Sequence, residues 1–314
     1  MLDCVIVGGG PAGLAAAVYL ARNKLSFALV VKEFGGRPVW AADVENYLGF
    51  HLLSGMELVG QFRKHLEDYR DQFELAEGEA VETIEKIPSG FRTSTKGKQW
   101  DSRTLLVATG TVPRTLDVPG EKEYYGKGVT YCAICDGPLF REKTVHVIGG
   151  GNAAMDAALT LEKYAKRVSI VTVNAELSGD QTMLEKIRAS EKCMIIPSTK
   201  TTKIVGATFV TGIGLAGQDG TERVEPTDGI FVEIGLMPVS GFINFVKKDD
   251  RGQIVIDRFN ATDVEGVWAA GDVTDLPAKQ IAVAVGEGAK AAVSIIKYLQ
   301  SAPALARSFA NDVP

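Results

Sequence analysis

The chain has 314 residues, 46% hydrophobic and 23% charged, with a formal net charge of −5. That is a globular balance long enough for two domains, and it excludes the basic surface that nucleic acid or an anionic membrane would require. No apolar stretch approaches the about 20 residues that span a bilayer, MLDCVIVGGG lacks the basic start and cleavage site of a secretory signal, and four cysteines are too few for a disulfide scaffold, so a cytoplasmic setting is expected.

Cys4-Val5-Ile6-Val7 is a short apolar run suited to a parallel strand buried on both faces. G-x-G-x-x-G follows at Gly8, Gly10 and Gly13, with Pro11 and Ala12 between them. A helix is expected from Leu14 to Arg22 and a second strand over Phe27–Val31. In such a unit the first glycine permits the tight turn, the second lets backbone approach a pyrophosphate, and the third lets helix pack on strand. The helix N-terminus then faces the phosphates. The acid at the end of the second strand, placed to bond ribose hydroxyls, is Glu33, to within one position of register because Lys32 precedes it.

Thr104–Ala108 is an apolar strand that ends in Ala108-Thr109-Gly110; Ile230–Ile234 is another, ending in Gly235. They read as the two crossings between domains. The expected fold is α/β: two Rossmann-like (three-layer ββα) dinucleotide-binding domains, the second inserted into the first. The first is discontinuous, 1–112 plus 245–314, and the second covers 113–244.

Cys132-Ala133-Ile134-Cys135-Asp136 is the chemical centre. C-x-x-C spacing lets two sulfurs close a small ring and reopen it, and a nearby helix start favours thiolate. Asp136 is placed to shuttle the proton of thiol–disulfide exchange, or simply to cap the helix through Gly137-Pro138. Zinc would need two more ligands, and none presents itself: Cys4 sits inside the first strand as a core residue, Cys193 begins an apolar run, and His51, His65 and His146 make no cluster. No metal and no catalytic histidine are expected.

A second dinucleotide unit starts at Thr144. Val145–Ile148 is its strand, and Gly149, Gly151 and Ala154 form G-x-G-x-x-A, with Asn152 and Ala153 inside it. A helix from Met155 to Lys163 and a strand over Val168–Val173 should follow. Two such units in one chain strengthen each other. Near the end, Gly266 to Gly271-Asp272 is an apolar strand ending in Gly-Asp, followed by Lys279-Gln280-Ile281 and a helix from Ala282 to about Leu299. Asp272 would hydrogen-bond a ribityl hydroxyl or cap the next turn.

These pieces, with Gly35-Gly36-Arg37 and Val44-Glu45-Asn46-Tyr47, resemble the low-molecular-weight thioredoxin reductases in order and spacing over nearly the whole chain. The resemblance implies FAD in the first domain, contacted by Gly8, Gly10, Gly13, Glu33, Gly36, Arg37, Asn46, Val81, Gly110, Asp272, Gln280 and Ile281. It also implies a homodimer whose domains rotate. Cys135 would be the flavin-facing sulfur, Cys132 the interchange sulfur, Asp136 the acid–base group, and a thioredoxin-like protein or small dithiol the partner.

The second unit departs from that family. NADPH-specific members carry His-Arg-Arg after its second strand and another Arg further on, to pair with the 2′-phosphate. Here Thr172-Val173-Asn174 and Ser178 stand there, with no cation between Arg167 and Lys186. NADPH is therefore disfavoured. Three readings follow: a second FAD, which is preferred; no nucleotide, with ferredoxin as electron carrier; or NADH. Without a soluble reductant, flow could run in reverse, from dithiol to flavin. A non-catalytic flavin-binding redox sensor, and a flavin enzyme with a vestigial pair, are the competing classes. Trp40 is placed either to stack near the flavin or to pack in the core, and Phe309 either to cover a flavin, to pack at a dimer interface or to belong to a frayed tail.

Overall fold

Alternation along the first strand decides the layering of the molecule. In the computed structural model, which describes residues 1–40, 44 and 46–301, Leu2–Val7 lies parallel between Phe27–Val31 and Gln99–Val107. Glu45, the tail with Pro303, Phe309 and Pro314, and the side chains of Trp40 and Cys135 lie outside the described residues. Successive side chains of a strand point to opposite faces. Cys4 and Ile6 accordingly pack against the helices Pro11–Arg22 and Ile281–Ser301, while Val5 and Val7 pack against Ile84, Phe91 and Trp100. The nine-residue strand Gln99–Val107 serves two neighbours on its other edge. Its first half pairs antiparallel with Gly90–Ser94, and its second half takes Val267–Ala269 in parallel. The meander Thr83–Ile87, Gly90–Ser94 thus supplies a third layer behind the parallel strands.

The second half repeats this plan. Cys193–Ile196, Arg167–Val171, Thr144–Ile148, Gly229–Val232 and Val129–Thr130 form a parallel sheet in that order. The helices Asn152–Leu161 and Gln181–Ala189 cover one face. The antiparallel strands Lys200–Gly206, Val210–Ala216 and Glu222–Pro226 lie on the other. His146, whose neighbours Val145 and Val147 face the helices, is tied to that third layer by Glu225 at 3.3 Å. Burial holds its imidazole below the usual range. A short antiparallel ribbon, Thr111–Pro113 with Leu236–Pro238, joins the two crossings.

The expected elements appear with shifted ends. The first helix begins at Pro11, three residues ahead of Leu14, because proline's fixed φ and missing N–H suit the first turn. The second dinucleotide helix ends at Leu161 instead of Lys163. Its next strand stops at Val171, where the Thr172 hydroxyl accepts the Asn174 N–H at 3.2 Å and turns the chain.

Two close contacts hold the first helical layer. A Cβ on Gly13 would stand 1.9 Å from the Gly8 carbonyl oxygen, and one on Gly288 would stand 2.0 Å from that of Ala12. Buried Asn260 adds a polar tie: its Nδ2 donates to the Ala269 carbonyl at 3.0 Å and to the Glu287 carboxylate on the last helix. Gly288→Ala should therefore lower stability by roughly 1–3 kcal/mol through overpacking, read as a lower denaturant midpoint. An unchanged midpoint would mean that the helices part without cost.

Candidate functional site

The carboxyl ends of Leu2–Val7 and Gln99–Val107 open into a cavity of about 380 Å³. The ends of parallel strands are where such sheets take ligands. The structure brings Gly8, Gly10, Pro11, Ala12, Glu33, Gly36, Arg37, Val81, Ala108, Thr109, Gly110, Gly271 and Asp272 into its wall. Gly10, at the foot of the first helix, carries no capping side chain and has open space where a Cβ would stand. Free backbone N–H groups at a helix start make an anion seat. Opposite, Arg37 Nη1 reaches Asp272 Oδ2 and Thr111 Oγ1, each at 3.4 Å. Burial raises the Asp272 carboxyl above its ordinary range, while Arg37 and Lys279 draw it back.

Five expected residues are absent from that wall. Gly13 lies beneath it as a packing contact. Asn46 Nδ2 donates to Gln280 Oε1 at 3.2 Å, Lys279 Nζ donates to the Thr274 carbonyl, and Ile281 opens the last helix. Sequence reasoning in turn missed Glu79 and Ala80 beside Val81, and Val239 and Phe242 beyond the second crossing. Val239 is held by the Thr109 hydroxyl, which donates to its carbonyl at 2.5 Å. No motif marks these residues; only the return of the chain brings them here.

The second glycine turn is fastened to a neighbouring loop. Ser178 N–H donates to the Gly150 carbonyl at 2.7 Å, and Asp180 N–H donates to Asn152 Oδ1 at 2.8 Å. Asp180 also caps the helix Gln181–Ala189 by accepting from Met183 N–H. Gly149 and Gly151 belong to the turn, Asn152 opens the helix, Ala153 is exposed, and Ala154 is fully buried in the core below it. At the end of the next strand Thr172 is buried and Val173 is 68% exposed.

Cys132 is disulfide-bonded, and Cys4 and Cys193 are free thiols. Burial pushes the Cys4 thiol up to about 12 and raises that of Cys193 as well, so neither is poised to react. Cys132 lies between Val129–Thr130 and the helical turn Ala133–Asp136. The Thr130 hydroxyl organises this turn: it donates to the Asp136 carboxylate and accepts the Cys132 N–H at 3.2 Å. Tyr131 donates to Glu121 at 2.9 Å, and Glu121 also accepts the Leu116 and Asp117 N–H groups, which fixes the approach to the turn. Burial and Glu121 raise the Tyr131 phenol. Ile134 within the turn and Leu139 just after it are 50% and 70% exposed. Among the described residues no group of three or more His, Cys, Asp or Glu could hold a metal ion, and no helix is long and apolar enough to cross a membrane.

Comparison with known proteins agrees with this layout. The family model for pyridine nucleotide-disulphide oxidoreductases matches residues 2–288. The F subunit of the Staphylococcus epidermidis alkyl hydroperoxide reductase is 38% identical over 300 residues, 95% of this chain. Its counterpart in Staphylococcus aureus is 39% identical over the same length. The chain spans 59% of the length of each. The thioredoxin reductase of T. acidophilum superposes with a TM-score of 0.76 at 40% identity, covering 96% of this chain and 98% of that one. The Lactococcus lactis thioredoxin reductase in its FR conformation gives 0.80 at 32% identity, covering 96% and 99%. With two Rossmann-like modules, a glycine-turn cavity and a bonded Cys132, the chain belongs to the pyridine nucleotide-disulphide oxidoreductases and shares the fold of the thioredoxin reductases.

Proposed function

We propose that the chain passes electron pairs between FAD held in the first cavity and the Cys132–Cys135 pair, and from there to a dithiol or disulfide partner such as a thioredoxin-like protein, with NADH as soluble donor. The observation that carries this reading is a bonded Cys132, beside an acid that Thr130 orients, in the same chain as a glycine-lined cavity at strand ends. The description of the matching family, pyridine nucleotide-disulphide oxidoreductase, supports a nicotinamide donor. The module boundaries proposed are 1–112 plus 245–314 around 113–244, in a homodimer.

The cavity fits FAD by its donor set. Backbone at Gly8 and Gly10 and the helix start at Pro11 would hold the pyrophosphate, Glu33 would take a ribose hydroxyl, and Asp272 would take the ribityl chain. The bound flavin supplies the two-electron chemistry. Arg37 opposes the rise that burial gives the Asp272 carboxyl, which favours the form that accepts a hydrogen bond. Asp136 exchanges the proton of the thiol, and Ile134 and Leu139 offer a protein partner an apolar rim beside Cys132.

The donor follows from charge. A 2′-phosphate at the end of Arg167–Val171 would meet Thr172, Val173, Asn174 and Ser178, none of them cationic. Every charge-assisted hydrogen bond that the phosphate fails to make here costs roughly 1.5–3 kcal/mol. The cation-free glycine turn also suits a second FAD, and that is the second reading.

Anaerobic mixing should therefore bleach the flavin with NADH, while NADPH acts at least about a hundredfold less well, the equivalent of about 2.7 kcal/mol. Equal bleaching by both would overturn the charge argument. No bleaching by either, with two FAD per chain, would establish the diflavin reading. Cys132→Ser and Cys135→Ser should each retain FAD and lose disulfide turnover by a factor of about 10³ or more. Full turnover in either variant would remove the pair from the reaction.

A further inference from the structure

Glu121 is a buried carboxyl with no part in the electron transfer proposed for the chain. It is 1% exposed. Burying a carboxylate is costly unless hydrogen-bond donors meet it, and three donors meet this one. Its Oε1 accepts the Leu116 N–H at 2.8 Å and the Tyr131 hydroxyl at 2.9 Å, and its Oε2 accepts the Asp117 N–H at 2.8 Å. These donors come from two different places. Leu116 and Asp117 follow the crossing strand Thr111–Pro113, after which the Arg114 N–H donates to the Gly235 carbonyl at 2.9 Å. Tyr131 lies between Val129–Thr130 and Cys132. Its ring packs against Tyr125, with centroids 5.6 Å apart, and against the apolar cluster that holds Val129 and Ile230. One buried side chain therefore joins the segment that enters the second module to the residue just before the bonded sulfur.

We propose that Glu121, acting through the Tyr131 hydroxyl, is a positioning residue that holds Cys132 in place for closure of the Cys132–Cys135 disulfide. This rests on the reading of that pair as the redox centre. Closing the bond is an intramolecular step, so its equilibrium depends on how well the dithiol already holds its two sulfurs within reach of each other. The Cys132 N–H is held by the Thr130 hydroxyl at 3.2 Å. With Glu121 fixing the Tyr131 side chain as well, Cys132 enters the helical turn Ala133–Asp136 with little freedom left. Without the bond from phenol to carboxylate the dithiol gains freedom that the disulfide cannot use, and the equilibrium moves toward the dithiol. Tyr131→Phe isolates this effect. It removes one hydroxyl, keeps the ring, and leaves Glu121 its two backbone donors. The crossing segment stays fastened while its link to the redox turn is cut.

The test equilibrates the full-length flavoprotein anaerobically with mixtures of reduced and oxidised dithiothreitol. Thiols are then trapped with iodoacetamide, and Cys132 and Cys135 are read by peptide mass spectrometry, which follows the pair apart from the flavin. In the exchange the S–S bond of the pair breaks as one forms in the reagent, and two electrons and two protons pass from reagent to pair. Tyr131→Phe should move this equilibrium toward the dithiol by roughly three- to tenfold, the worth of one hydrogen bond, with FAD content unchanged. Glu121→Gln, which sets an amide N–H₂ where an acceptor is needed, should move it the same way, and the double variant should go no further than Glu121→Gln alone. A contact that served stability only would lower the denaturant midpoint and leave the redox equilibrium where it is. A Tyr131→Phe equilibrium that superposes on wild type would overturn the inference and leave the redox pair standing. If no ratio of the reagent yields a pair of trapped thiols in wild type, the redox reading itself falls.

Discussion

The Gly8 carbonyl touches Gly13, the Ala12 carbonyl touches Gly288, and neither contact has room for a methyl group. This closeness sets the position of everything on the working face of the first module. It draws the first helix down onto the strand it follows, so that the helix start points into the cavity. It draws the last helix against the first, which carries Ala284 to the cavity wall. Burying apolar surface against Leu14, Leu20, Ile295 and Leu299 drives the packing, but it would be equally satisfied a few tenths of an ångström further out. The glycines decide that the gap closes.

A second theme is the sharing of charge. Asp272 and Glu233 lie in different modules, and burial raises both carboxyls. Arg37 opposes that shift at both places, bonding Asp272 at 3.4 Å and acting on Glu233 through space. Buried carboxylates without a counter-charge would simply protonate. One guanidinium thus opposes the effect of burial on two carboxyls.

Most of the architecture was legible in the sequence because repeated local signals carried it. The two glycine turns, the apolar strand runs before them and the small-residue helices after them recur in the structure with ends displaced by at most three residues. The first helix moved because Pro11 starts helices well, and the strand after the second unit ended early because a threonine hydroxyl captured a backbone N–H. The cavity's glycine side was equally legible. Its other side was not: Val239 and Phe242 are ordinary apolar residues whose role depends on where the chain returns. Asn46 and Gln280 were expected as contacts, yet the structure bonds them to one another, a long-range pairing that no local pattern encodes.

The ribbon between the two crossings has a meaning for the ancestry of the chain. Pro113 is a direct partner of Leu236, and the pairing is extended by bonds from Arg114 to Gly235 and from Val239 to Gly110. Everything between those residues leaves and re-enters the first module at one point, with its two ends already side by side. For the first sheet, then, the whole second module behaves like the loop of a hairpin, and the entropy of closing a loop grows only slowly with its length. A cassette of over a hundred residues can be spliced into such a spot, or exchanged for another, without altering the register of a single strand in the host.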